Sequence, residues 1–152
     1  DLNIKPSLSR ETILQWLHEL RHYDFHEPTR LGKKLLSLNP SLPERSLIFI
    51  LSDLHDPDAL PALKLLGHRH DIVVIPLRDP AEDKLTGAGY IRAREVETGR
   101  ETTLSAKRQF TSLADLTSAL KKASLDHFPI HTHRPFLASL RLYLQSRNLL
   151  AR

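Results

Sequence analysis

Two uninterrupted apolar runs do most to limit what this chain can become. Leu47-Ile48-Phe49-Ile50-Leu51 and Ile72-Val73-Val74-Ile75 show no polar alternation, and a helical pattern at Leu60, Leu63, Leu65 and Leu66 lies between them. Strands that do not alternate are buried on both faces. A helical crossover between two such strands makes the pair parallel. The segment therefore predicts a right-handed βαβ unit of an α/β sheet. Pro61 is compatible with the helix because it falls in the first turn of a segment running from Asp58 to about Arg69.

Around this unit the pattern predicts mainly helices. Residues 9 to 22 place Ile13, Trp16, Leu17 and Leu20 on one stripe, with Ser9 as the cap and Glu11 in the first turn. After the break at Asp24–Pro28, a short helix is expected from Thr29 to Leu38, ended by Asn39-Pro40 and Pro43. Tyr90–Arg94 and Arg100–Leu104 flank Glu95-Val96-Glu97-Thr98-Gly99 and read as a β-hairpin. Two helices close the chain, one from Ala106 or Leu113 to Ala123 and one from Pro135 to about Leu149. The second has Phe136, Leu137, Leu140, Tyr143 and Leu144 as its apolar face.

Composition narrows the functional classes. Cys is absent, which removes disulfide scaffolds, cysteine nucleophiles and thiolate metal sites and fits a reducing compartment. No apolar run is long enough to span a membrane, and no signal-peptide pattern is present, so the expected location is cytoplasmic. Met is also absent, even at position 1, so the sequence reads as a portion of a longer chain. The net charge of +4 points at first to a polyanion, but acids and bases intersperse until Asp126. Beyond it come Arg134, Arg141, Arg147 and Arg152 with no acid, so the excess belongs to a basic closing helix. With nine aromatic residues and no groove-reading motif, the sequence favours a solvated helix face over a specific nucleic-acid binder.

Three clusters offer chemistry. His18-Glu19-Leu20-Arg21-His22 is a literal His-Glu-x-x-His on a predicted helix, the pattern in which two His hold zinc and Glu activates its water. Arg21 sets a cation between the two His, and the Gly and third His of the extended signature do not follow, so a plain amphipathic helix is the preferred reading. His127, His131 and His133 are expected in a solvated loop between helices. Ser52-Asp53 lies just past a buried parallel strand, where α/β folds place ligands. Of the acids that follow, Asp56 or Asp58 is expected to cap the next helix. Asp53 is too near the strand end for that role, and its carboxylate suits a hard cation such as Mg²⁺.

These residues also carry a family resemblance. Ser52-Asp53-Leu54 closes an apolar strand; His70-Asp71 leads into the next strand, which ends in Asp79-Pro80-Ala81-Glu82 with Leu85 and Gly89 beyond; and Glu95-Val96-Glu97-Thr98-Gly99 follows. In that order and spacing the run Ser46 to Gly99 resembles the second half of the bacterial "domain of unknown function 58" family, a von Willebrand factor A-like group. Glu95 stands where that family has Asp; Thr29-x-Leu31 and the closing helix Arg134 to Arg147 match further features.

The resemblance implies an α/β fold: a Rossmann-like, von Willebrand factor A-like parallel sheet, truncated, with a β-hairpin and C-terminal helices. Residues 1–152 would be one partial domain whose N-terminal strands lie outside this chain. It further implies a metal-ion-dependent adhesion site for Mg²⁺ or Mn²⁺, with Thr29 as its second element and Asp53 as its third. The first element, Asp-x-Ser-x-Ser, is not in this sequence, so tight metal binding by the piece alone is not expected. The function implied is a non-enzymatic protein-interaction domain working with a MoxR-type AAA+ ATPase in protein assembly or maturation, the parent chain being anchored to the inner membrane in some members. A bare apolar strand edge also predicts self-association.

Overall fold

The computed structural model describes residues 7–22, 30–80, 90–94, 101–105 and 112–150. Thr29, Ala81-Glu82, Leu85, Gly89 and the Glu95–Gly99 turn lie outside these described residues. The chain is an open α/β fold of the Rossmann-like type, built on a four-stranded parallel sheet.

The sheet grows from the two apolar runs. β1 (Leu47–Ser52) and β2 (Asp71–Arg78) pair in parallel, Leu47 opposite Asp71 through Ser52 opposite Pro76. The crossover is α3 (Ala59–Gly67), which follows α1 (Arg10–Arg21) and α2 (Leu31–Leu38) in the chain. Beyond β2 come a two-stranded antiparallel sheet of β3 (Tyr90–Arg94) and β4 (Glu101–Ser105), then α4 (Leu113–Lys122). Two short strands follow, β5 (Asp126–His127) and β6 (Ile130–His131), and the last helix is α5 (Leu137–Ser146). The hairpin matches its expected strands to within one residue, with Tyr90 opposite Ser105 and Arg94 opposite Glu101.

The segment His127–His133 is a correction to the sequence reading. Instead of a free loop it forms β5 and β6, both parallel to β2 along the same edge. Pro129 lacks an amide for the ladder, and the pairing breaks there. Phe128 N–H still reaches the Val74 carbonyl at 2.9 Å. The edge of β2 therefore stays covered on both sides of the proline.

Two apolar layers flank the sheet. On one face Ile50, Ile72 and Val74 meet Leu35 of α2, Ala62, Leu63 and Leu66 of α3, and Leu116 and Leu120 of α4. On the other, Val73, Ile75 and Ile130 meet Phe128, Leu140 and Tyr143, which brings α5 onto β2. Leu63, Leu66, Leu120, Val73 and Val74 are fully buried, each contributing roughly 1.5–3 kcal/mol of transfer free energy. β2 is buried on both faces, as its composition predicts.

β1 departs from the prediction of two buried faces. Its even-numbered residues turn inward, whereas Leu47, Phe49 and Leu51 remain 42%, 41% and 62% exposed. The reason is position: β1 pairs with β2 alone among the described residues, and α5 covers β2 but not β1 on that side. α1 likewise buries none of its residues, and its stripe of Ile13, Leu17 and Leu20 is exposed. Ser9 stands at its N-cap position with extended backbone but makes no side-chain cap bond.

Candidate functional site

Asp53, the described one of the expected site residues, follows the carboxyl end of β1. The strand leaves the sheet at Ser52, and the chain turns sharply through Leu54, whose φ of 59° lies in the left-handed region. That conformation costs a branched L-residue roughly 1–2 kcal/mol, and such costs concentrate at functional loops. Leu54 tolerates it because its side chain packs on the core shared by α2, α3 and β2. The Ser52 hydroxyl oxygen accepts the Leu54 amide at 3.0 Å and holds the bend.

Asp53 therefore projects from a fixed corner. Its Oδ1 accepts the His55 amide at 3.2 Å and the Ser52 hydroxyl at 3.4 Å. Oδ2 lies 4.0 Å from His55 Nε2, and half of the Asp53 side chain remains exposed. It does not cap α3, in keeping with its position so close to the strand end.

Asp56 has a role the sequence reading only half anticipated. Its Oδ1 accepts the Asp58 amide at 2.9 Å, at the entry to α3. Its Oδ2 accepts the Gly32 amide of α2 at 2.8 Å. One carboxylate thus joins the start of one helix to the approach of another, where the partial positive charge of α2's first turn also favours it. These amides, with a further contribution from that of Leu31, hold the Asp56 carboxyl below the usual aspartate range. Asp58, the other expected cap, occupies the N-cap position of α3 but makes no side-chain cap bond.

Gly32 is required by this closeness. A Cβ there would lie 2.6 Å from Asp58 Cβ and 2.7–2.8 Å from the Asp58 backbone, where nothing flexible can yield. The β1–α3 loop is therefore fastened to α2 at a point three residues along the chain from Thr29. Thr29 itself lies outside the described residues.

Neither of the other two clusters forms a three-donor centre. His18 and His22 stand one turn apart at the exposed end of α1, with ring centroids 4.3 Å apart. His131 and His133 meet edge to face at 5.8 Å, and Arg134 Nε donates to His133 Nε2 at 3.1 Å. Among the described residues no group of three or more His, Asp or Glu is set to hold a metal ion. The peptidase pattern is thus represented by two His on a solvent-facing helix.

Two buried polar residues, His70 and Arg78, and the partly buried Arg147 make ties between elements that the sequence reading did not anticipate. His70, 2% exposed, takes the Ser46 amide on Nδ1 at 3.2 Å and meets Asn39 Oδ1 through Nε2 at 3.2 Å, tying β2 to the end of α2. Arg78 ends β2 almost fully buried, and its carbonyl accepts both the amide and the hydroxyl of Thr132. Arg147, counted in sequence as part of a basic tail, donates to Asp71 at 2.8 Å and lies 2.7 Å from Asp126. It clamps the leading ends of β2 and β5, which removes it from the charge available to a polyanion. A His or Arg next to a strand run signals such ties only when the facing element is known.

Comparison with known families finds a match over residues 2–121 to the family described as "Protein of unknown function DUF58". No curated protein and no solved structure gave a match. Among the described residues no helix is long and apolar enough to cross a membrane.

Proposed function

This chain belongs to the DUF58 family, and from that premise we propose that it acts as a protein-interaction domain of the von Willebrand factor A-like kind. The observation that carries the reading is the Asp56–Gly32 bond, which fastens the Asp53 loop to the helix that follows Thr29. An adhesion site of this kind needs oxygen donors from separate loops brought to the carboxyl end of the sheet. Asp53 supplies a half-exposed carboxylate at that end, held by a bend in its own loop.

The donor chemistry fits a hard divalent cation. Carboxylate and hydroxyl oxygens, with no thiolate available, suit Mg²⁺ or Mn²⁺. Asp53 and Thr29 would hold the ion in part, directly or through water, and the bound ion would supply a positive centre for an acidic side chain of a partner. The partner in this reading is a MoxR-type AAA+ ATPase, and the work is assembly or maturation of other proteins on the cytoplasmic side. In this reading the domain binds a partner and breaks no bond in a substrate.

Retention of a MoxR-type AAA+ ATPase on the immobilised protein tests this reading. Retention is expected with Mg²⁺ present, lost in chelator and lost in Asp53→Ala. Retention that ignores both would refute it.

A further inference from the structure

α1 carries an arrangement separate from the β1 loop. His18 lies in the last turn of α1, and His22, four residues on, is the residue that caps its carboxyl end. Their rings stand 4.3 Å apart between centroids with planes inclined at 44°. Both side chains are exposed, and neither touches the core.

The hydrogen bonding also selects a tautomer. His22 Nδ1 lies 2.8 Å from the His18 carbonyl oxygen. A carbonyl can only accept, so Nδ1 carries the proton and Nε2 keeps its lone pair. A backbone carbonyl bound to the far nitrogen is the usual support of a metal-ligating histidine, because it fixes the ring and raises the basicity of the ligating atom.

We propose that His18 and His22 chelate one borderline divalent cation, Zn²⁺ in the first instance, at the exposed end of α1. Imidazole nitrogen prefers Zn²⁺, Ni²⁺ or Cu²⁺ to Mg²⁺, so this site is chemically distinct from the oxygen donors at Asp53. Two protein ligands leave the remaining positions to water or to a donor from another molecule. It is therefore an open chelate, whereas a hydrolytic centre needs a third protein ligand. The ion would join the last turn of a twelve-residue helix to the residue that caps it, and that helix buries nothing and is marginal in water by itself. Zinc binding and α1 helicity are consequently coupled.

The test is isothermal titration of the chain with zinc chloride at pH 7.5 in a non-chelating buffer, with far-ultraviolet circular dichroism recorded alongside. One saturable event is expected, with a gain in helicity and no competition from millimolar Mg²⁺. His18→Ala and His22→Ala should each weaken it by about tenfold or more, as for loss of a ligand or its support. The double variant His131→Ala/His133→Ala should leave it unchanged. Since both side chains are exposed, neither single variant removes a core contact. Absence of saturable binding, or binding that survives both single substitutions, would overturn the assignment.

Discussion

The Asp56 carboxylate and the Gly32 amide, 24 positions apart in sequence, meet at 2.8 Å and lock the loop after β1 to the first turn of α2. The same side chain holds the approach to α3 through the Asp58 amide. The attachment of the Asp53 loop to α2 therefore depends on one ionised group.

Asp56→Ala is expected to cost about 1–2 kcal/mol at pH 7, the range for losing a helix-capping carboxylate. The folded-state pKa is lowered by the Gly32 and Asp58 amides, so this stabilisation is present above the unfolded value near 3.8 and is lost as pH falls through the folded one. Urea denaturation at pH 7 and at about pH 2–3 checks the sign: the gap between wild type and variant should narrow in acid.

Gly32→Ala tests the closeness itself. In a free helix the change would stabilise by about 1 kcal/mol. Here the new methyl meets the Asp58 backbone at 2.7–2.8 Å, and the overpacking cost of roughly 1–3 kcal/mol should win. A variant that melts above wild type would show that the loop can move away freely.

The opposite end of the sheet has its own tie. Arg147, 19% exposed at its side chain, bridges Asp71 and Asp126. Arg147→Met should destabilise by about 1–2 kcal/mol, above the ordinary surface pair, because two carboxylates lose one shared partner. Beside it the Tyr143 hydroxyl is buried with no hydrogen-bond partner among the described residues, and burial pushes its pKa above 10. Tyr143→Phe should leave stability at pH 7 unchanged or higher by up to about 1 kcal/mol. A raised folded pKa means that the tyrosine's contribution is intact below pH 10 and lost as pH rises through the folded value, so the Phe variant should also resist alkaline unfolding better.

Among the described residues no strand pairs with the outer edge of β1, which lies beside exposed Leu47, Phe49 and Leu51. Such an edge templates association. Light scattering should give a mass above the monomer that rises with concentration, and Phe49→Lys should reduce it. A monomer whose β1 amides exchange freely would contradict this.

How far the sequence could lead follows from where each signal resides. β1, α3 and β2 were legible because a buried parallel pair leaves an unbroken apolar run, and the run is local. The exposed side of β1 was not, because two runs of the same character differ only in what covers them. β5 and β6 were missed because each has two residues, bears a histidine and is separated from the other by Pro129. Asp53 could be singled out from its distance to a strand end. The partnership of Asp56 with Gly32 could not, since neither residue type nor spacing marks a hydrogen bond between separate elements. His70 and Arg147 were obscured for the same reason: each serves residues of other elements.

The claim that Asp53 belongs to a divalent-cation adhesion site is tested most directly by Mn²⁺ titration of the full-length protein, read by calorimetry. The account predicts saturable binding that Mg²⁺ competes away and that Asp53→Ala weakens by about tenfold or more, the scale seen when a metal site loses a supporting group. Affinity for Mn²⁺ that is the same in wild type and Asp53→Ala would contradict it.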